Sequence, residues 1–222
     1  AGEAASDEQE GALLSRLWPL YAVYLLDSIG MGVALPALPF FVMNLGASAL
    51  QLAVVVSSNY LAQTCGCVVM GNVSDHVGRR PVILACLSAS LLSHLVVSRS
   101  KSLPVVAAGR IIGGIMGGLT PITQAAVADA VPLALRPKFI GRVQACVGAG
   151  FVLGPAFTLL AHKVLGVSGG QVFLVALLFP LAGLALASTR LQETKPRFNS
   201  YAASAGGDDE DGKGDAMLVD TR

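Results

Sequence analysis

Two long apolar runs flank one short, charge-dense turn, and few folds accept that pattern. Residues 50–70 contain no formal charge, and residues 81–98 carry none beyond any proton on His94. Between them stands Gly-Asn-Val-Ser-Asp-His-Val-Gly-Arg-Arg, from Gly71 to Arg80. A hydrocarbon core about 30 Å thick is crossed by about 20 apolar residues of helix. The turn therefore sits where two membrane-spanning helices meet water. The pattern recurs along the chain, giving expected spans at residues 17–45, 50–70, 81–98, 103–131, 139–161 and 167–188. A very apolar soluble helical domain would carry charged faces at helical spacing. This chain has only 13% charged residues, clustered at its ends and in short loops, and a mean hydropathy of +0.66. The expected fold class is all-α, a polytopic membrane protein built as a six-transmembrane-helix bundle.

Three regions follow. Residues 1–16 are polar and expected to form a disordered segment; residues 17–190 form the transmembrane domain. Residues 191–222, rich in Ser, Gly and acids, read as a solvated, disordered tail or the start of a longer loop. The acidic opening stretch (Glu3, Asp7, Glu8, Glu10) is not the basic n-region of a cleavable signal peptide. Six spans put both ends on one side. Nine basic residues flank that side (Arg16, Arg79, Arg80, Arg136, Lys138, Arg142, Arg190, Lys195, Arg197) against three on the other (Arg99, Lys101, Lys163). Positive charge favours the cytoplasmic side, so both termini are expected there.

Several function classes are excluded on residues. A net charge of +1 makes no case for nucleic acid. Cys65-Gly66-Cys67 is not a zinc pair, and Cys86 and Cys146 lie in apolar runs, so all four read as packing residues, with no metal or cofactor expected. An intramembrane serine protease needs a nucleophile in a Gly-x-Ser-Gly setting, and Gly46-Ala47-Ser48-Ala49 lacks the second glycine. The sequence has neither paired Asn-Pro-Ala repeats nor a phosphate loop. No enzyme activity is expected.

Gly71, Asp75, Gly78, Arg79 and Arg80 spell G-x-x-x-D-x-x-G-R-R. This resembles the signature loop between the second and third helices of the major facilitator superfamily, with His76 where that family usually has Arg or Lys. Asp27, Gly30, Gly32 and Pro36 resemble the first-helix motif of its drug:proton antiporters, the tetracycline-resistance-like group. Arg110-Ile-Ile-Gly-Gly114 resembles the fourth-helix Arg-x-x-x-Gly motif, associated there with proton coupling, with Gly113 where Gln is frequent. Gly150-Phe-Val-Leu-Gly154-Pro155 resembles the antiporter motif G-x-x-x-G-P, with Thr158-Leu159 in place of a following Gly-Gly. The resemblance implies the amino-terminal half of a twelve-helix fold. It implies a secondary transporter for a small organic or drug-like solute, coupled to protons and working by alternating access. Its partners would be the bilayer, the solute, protons, and a carboxy-terminal half or a second copy. In the family the loop Asp, here Asp75, engages the other half. A truncated, non-transporting product of a transporter gene is the alternative.

The residues carry their own reading. A carboxylate inside a membrane is costly and is usually functional or paired. Asp27 lies about 15 Å from one face and Arg110 about 10 Å from the other by helical rise. Their depths then differ by about 5 Å in a core about 30 Å thick, so the two are expected to pair in a central cavity. Asn59 and Gln63 share one helix face, and either line a polar path or bond across helices. Gly109, Gly113 and Gly117, with Gly114 and Gly118, form small-residue rows for close helix packing. Arg79 and Asp129 fall on one face of the membrane, where an ion pair would latch two spans, and Pro155 is expected to bend its helix. His94 and His162 are expected near the outer boundary.

Overall fold

The computed structural model describes residues 2–167, 169–191 and 193. It contains α1 (Gly2–Asn44), α2 (Ala49–Val77), α3 (Arg79–Arg99), α4 (Leu103–Ile115), α5 (Leu119–Ala130), α6 (Arg136–Leu165) and α7 (Gln171–Arg190), with no strand among the described residues. Among the described residues six stretches are long and apolar enough to cross a membrane, α4 and α5 together making the fourth.

Three boundaries differ from the sequence expectation. The first helix begins at Gly2, within the segment expected to be disordered. Its polar first turns are tied down by Glu10, whose carboxylate meets Lys138 Nζ at 2.7 Å and Arg142 Nη2 at 4.0 Å on α6. The second helix runs to Val77, so most of the charged turn is helical and Gly78 alone, at φ 112° and ψ 161°, reverses the chain into α3. The fourth span is broken at residues 116–118. Pro121 explains that break, because it has no N–H for the Gly117 carbonyl and its ring would crowd that oxygen in a continuous helix. Lys195, Arg197 and the acids at 208–211 lie outside the described residues.

Two apolar layers hold the bundle. One joins Leu17, Leu20 and Val23 of α1 to Ile83 and Leu87 of α3, Val127 of α5 and Phe139 of α6. The other joins Val33, Leu38 and Val42 of α1 to Val97 of α3, Val106 of α4 and Phe173 of α7. Asp27 falls between the two layers. The α1–α6 crossing depends on missing side chains: a Cβ on Gly32 would strike the Gly150 carbonyl, and one on Gly154 the Gly32 backbone. Gly114 does the same for α4 against α2, where a Cβ would lie 2.6 Å from the Asn59 carbonyl oxygen. α6 continues unbroken through Pro155, with Thr158 Oγ1 donating to the Gly154 carbonyl at 3.1 Å.

Candidate functional site

Between the apolar layers lies a cavity of about 130 Å³, bordered by Tyr24 and Asp27 of α1, Gln63 of α2, Cys86 and Ser90 of α3 and Thr120 of α5. Ser90 Oγ donates to Asp27 Oδ1 at 2.9 Å. The Tyr24 hydroxyl donates to Thr120 Oγ1 at 2.6 Å, tying α1 to the start of α5. The broken fourth span opens here, since Gly113, Met116, Gly117 and Leu119 also line the wall. Gly117 N–H turns back to the Gly114 carbonyl at 2.7 Å. The Gly117 carbonyl that Pro121 cannot serve instead faces Cys67 Sγ at 3.8 Å. Discontinuous spans that line a cavity are where irregular backbone is tolerated at membrane depth.

A second, smaller cavity of about 20 Å³ adjoins the first and shares Met31, Gln63, Ser90 and Gly113 with it. Asn59, Ser93, His94 and Arg110 complete its wall. The expected Asp27–Arg110 pair is not formed: no described carboxylate lies within 4.0 Å of the guanidinium. Ser90 satisfies Asp27 instead, and Gln63 and Ser90 stand in the wall between the two cavities. Asn59 and Gln63 both reach this polar layer; Asn59 is buried and Gln63 borders both cavities. His94 is not at the boundary. It is 3% exposed, its Nδ1 lies 2.6 Å from the Ser90 carbonyl, and its Nε2 has no partner. His162 is exposed, with Nδ1 3.0 Å from the Val167 carbonyl.

The charged turn forms a second polar centre at the membrane face. Arg79 binds Asp129 through Nε at 3.0 Å, and Asp75 and Ser74 through Nη1 at 2.7 and 2.6 Å. Arg80 Nη2 donates to the Ser188 carbonyl at 2.8 Å. The backbone N–H groups of Arg79 and Arg80 donate to Glu193 Oε1 and Oε2 at 2.8 and 3.1 Å, placing a carboxylate on the N-terminus of α3. Gly78 is needed twice, for its positive φ and because a Cβ there would lie 2.7 Å from Glu193 Oε2. Gly71 has open space around it. Among the described residues no cluster of His, Cys, Asp or Glu could hold a metal ion.

Sequence reasoning missed Ser90, Tyr24, Thr120 and Glu193. Only the break had a readable signal, Gly117-Gly118 followed by Pro121. The others are ordinary residues whose roles depend on which helices meet.

Six apolar spans around a polar cavity set in a broken span define a membrane-transport fold. The family model described as Major Facilitator Superfamily matches residues 20–207, and the chain belongs to that superfamily. It is 31% identical over 173 residues to the class G tetracycline resistance protein of Vibrio anguillarum, covering 76% of this chain and 43% of that protein. It is 32% identical over 173 residues to the class C tetracycline resistance protein of Escherichia coli, again covering 76% and 43%. The chain thus spans under half the length of these curated relatives. Among solved structures it resembles the human organic anion transporter MFSD10 (TETRAN), with a TM-score of 0.67, 25% identity, and coverage of 83% of this chain and 49% of that one.

Proposed function

We propose that the chain supplies the amino-terminal six spans of a secondary transporter that moves a small organic or drug-like solute in exchange for protons. The observation that carries this reading is Asp27, a carboxylate held by one serine on the wall of a polar cavity inside the membrane, beside a broken span. Ionisable residues at membrane depth are costly and as a rule mark substrate, ion or proton pathways. Asn59, Gln63 and Arg110 continue the polar wall toward the opposite face. Arg79, Asp75 and Asp129 act as a latch on the face assigned to the cytoplasm, where both termini lie. In such folds the solute sits between two halves near the midplane and the halves rock against each other. Within this bundle α2 and α6 have only 17% of their most apolar stretch buried, the lowest of the six spans, so they are the faces on which a second half or a second copy would rest.

Reconstitution tests this. Liposomes holding the chain with its complementary half should take up tetracycline or a cationic dye in a saturable, protonophore-sensitive way, whereas the chain alone should not. Uptake by residues 1–222 alone would show instead that two copies complete the site. Failure of both arms across a panel of drug-like probes would favour a non-transporting product.

A further inference from the structure

We propose that Arg16 and Arg190 form a binding site for the phosphate of an anionic phospholipid, at the rim where α1 and α7 leave the membrane. Lipid binding there does not depend on whether the chain transports. A cavity of about 200 Å³ opens at that rim, lined by Ser15, Arg16, Trp18 and Pro19 of α1 and by Arg190, the last residue of α7. It is smaller than the roughly 300–1,000 Å³ that drug-sized ligands occupy. Arg16 also stands about 16 Å of helix rise from Asp27, outside the solute cavity.

These two arginines differ from their neighbours in lacking a protein partner. On the same face Arg79 pairs with Asp75 and Asp129, and Lys138 and Arg142 pair with Glu10. Arg136 Nε donates to the Val131 carbonyl at 3.2 Å, and Arg80 Nη2 to the Ser188 carbonyl at 2.8 Å. Among the described residues Arg16 and Arg190 have neither a carboxylate nor a carbonyl partner. Glu10, the closest acid to Arg16 along α1, is committed to α6. A basic residue ending a helix commonly serves that helix's last carbonyls. Here Arg80 has taken the Ser188 carbonyl, and Leu191 N–H has taken that of Ala187 at 3.1 Å. Two guanidinium groups on one small cavity repel each other until an anion stands between them.

Guanidinium groups meet phosphate oxygens through paired N–H donors. The Ser15 hydroxyl adds no donor, because it gives its proton to the Ala12 carbonyl at 2.8 Å. The arginines therefore supply the charge and the fork geometry. Position selects a lipid over a soluble anion. Trp18 lines the same cavity and is 49% exposed, and exposed tryptophan marks the headgroup level of a bilayer. The face assigned to the cytoplasm is also the one whose leaflet carries anionic lipids, and basic pockets between membrane helices on that side suit their headgroups. A zwitterionic lipid brings its own cation, which both arginines repel; an anionic one does not.

Trp18 is the chain's one tryptophan, so its fluorescence reports on this site alone. The chain is placed in phosphatidylcholine nanodiscs carrying either brominated phosphatidylglycerol or brominated phosphatidylcholine, and quenching of Trp18 is compared. Phosphatidylglycerol should be preferred by roughly fivefold, the weight of one basic side chain at an anionic surface. Arg16→Gln and Arg190→Gln should each lose most of that preference. Both side chains are exposed, so the circular dichroism of either variant should match wild type. Arg136→Gln removes the same charge from the same face, away from the cavity, and should keep the preference. Equal quenching by the two lipids in wild type would overturn the site. So would an equal loss in Arg136→Gln, which would show general surface charge alone. Inorganic phosphate added at constant ionic strength should leave the preference unchanged. If it abolished the preference, the ligand would be a soluble anion and the lipid assignment would fall.

Discussion

The polar centre at the membrane face and the polar layer between the apolar cores differ in how their charges are paired. At the face Arg79 meets Asp129, Asp75 and Ser74, and the start of α3 is capped by Glu193. In the interior Asp27 has one serine, and Arg110 Nε and His94 Nε2 have no direct hydrogen-bond partner, as Arg80 Nε has none at the face. Asp75 is 58% exposed, so its pairing with Arg79 is screened and worth little, whereas Arg79, at 11%, and Ser74, at 0%, are shielded from water. An unmade bond in the interior is expensive, and ionisable groups kept at membrane depth are candidates for function. The face joins α2, α3 and α5 by ion pairs; the interior holds ionisable groups without a charged partner among the described residues.

That contrast can be broken by substitution. Gly154→Leu removes neither centre but separates α1 from α6 by driving a side chain into the Gly32 backbone. It should abolish recovery of monodisperse protein by size-exclusion chromatography, the largest effect expected. Gly78→Ala places a side chain in a backbone region almost reserved for glycine, costing about 1–3 kcal/mol. It also crowds the Glu193 cap, and should lower the melting temperature in detergent. Arg110→Met should have the opposite sign. Removing a buried cation with no carboxylate partner should raise the melting temperature, by on the order of 1 kcal/mol, while impairing transport. The smallest effect belongs to the latch. Arg79→Asp combined with Asp129→Arg should recover under about 1 kcal/mol relative to the single reversals in a double-mutant cycle. If Arg110→Met destabilised the protein as Arg79→Met would, the distinction between the two centres would fail.

The spans and the face were largely legible in the sequence, because hydropathy places helices and the pairing of Arg79 with Asp129 needs only that both lie at one face. Depth along a helix was legible too, since Asp27 and Arg110 do occupy adjoining cavities. What sequence could not supply was rotation about the helix axis. Rise alone made Asp27 and Arg110 neighbours, but the facing of α3 puts Ser90 beside Asp27. The same rotation takes His94, one turn further along α3, into the interior. Glu193 was hidden for another reason, lying beyond the last span in a stretch whose composition suggests solvated tail.

The central claim is that Asp27 carries the transported proton. The direct measurement is flux of a probe solute driven only by a pH gradient, with wild type and Asp27→Asn compared in vesicles holding the assembled transporter at matched protein levels. The expected result is that Asp27→Asn loses pH-driven flux by at least about tenfold, equivalent to 1.4 kcal/mol or more of lost coupling, while exchange of the probe without a gradient continues. Wild-type response to the gradient in Asp27→Asn would contradict the claim.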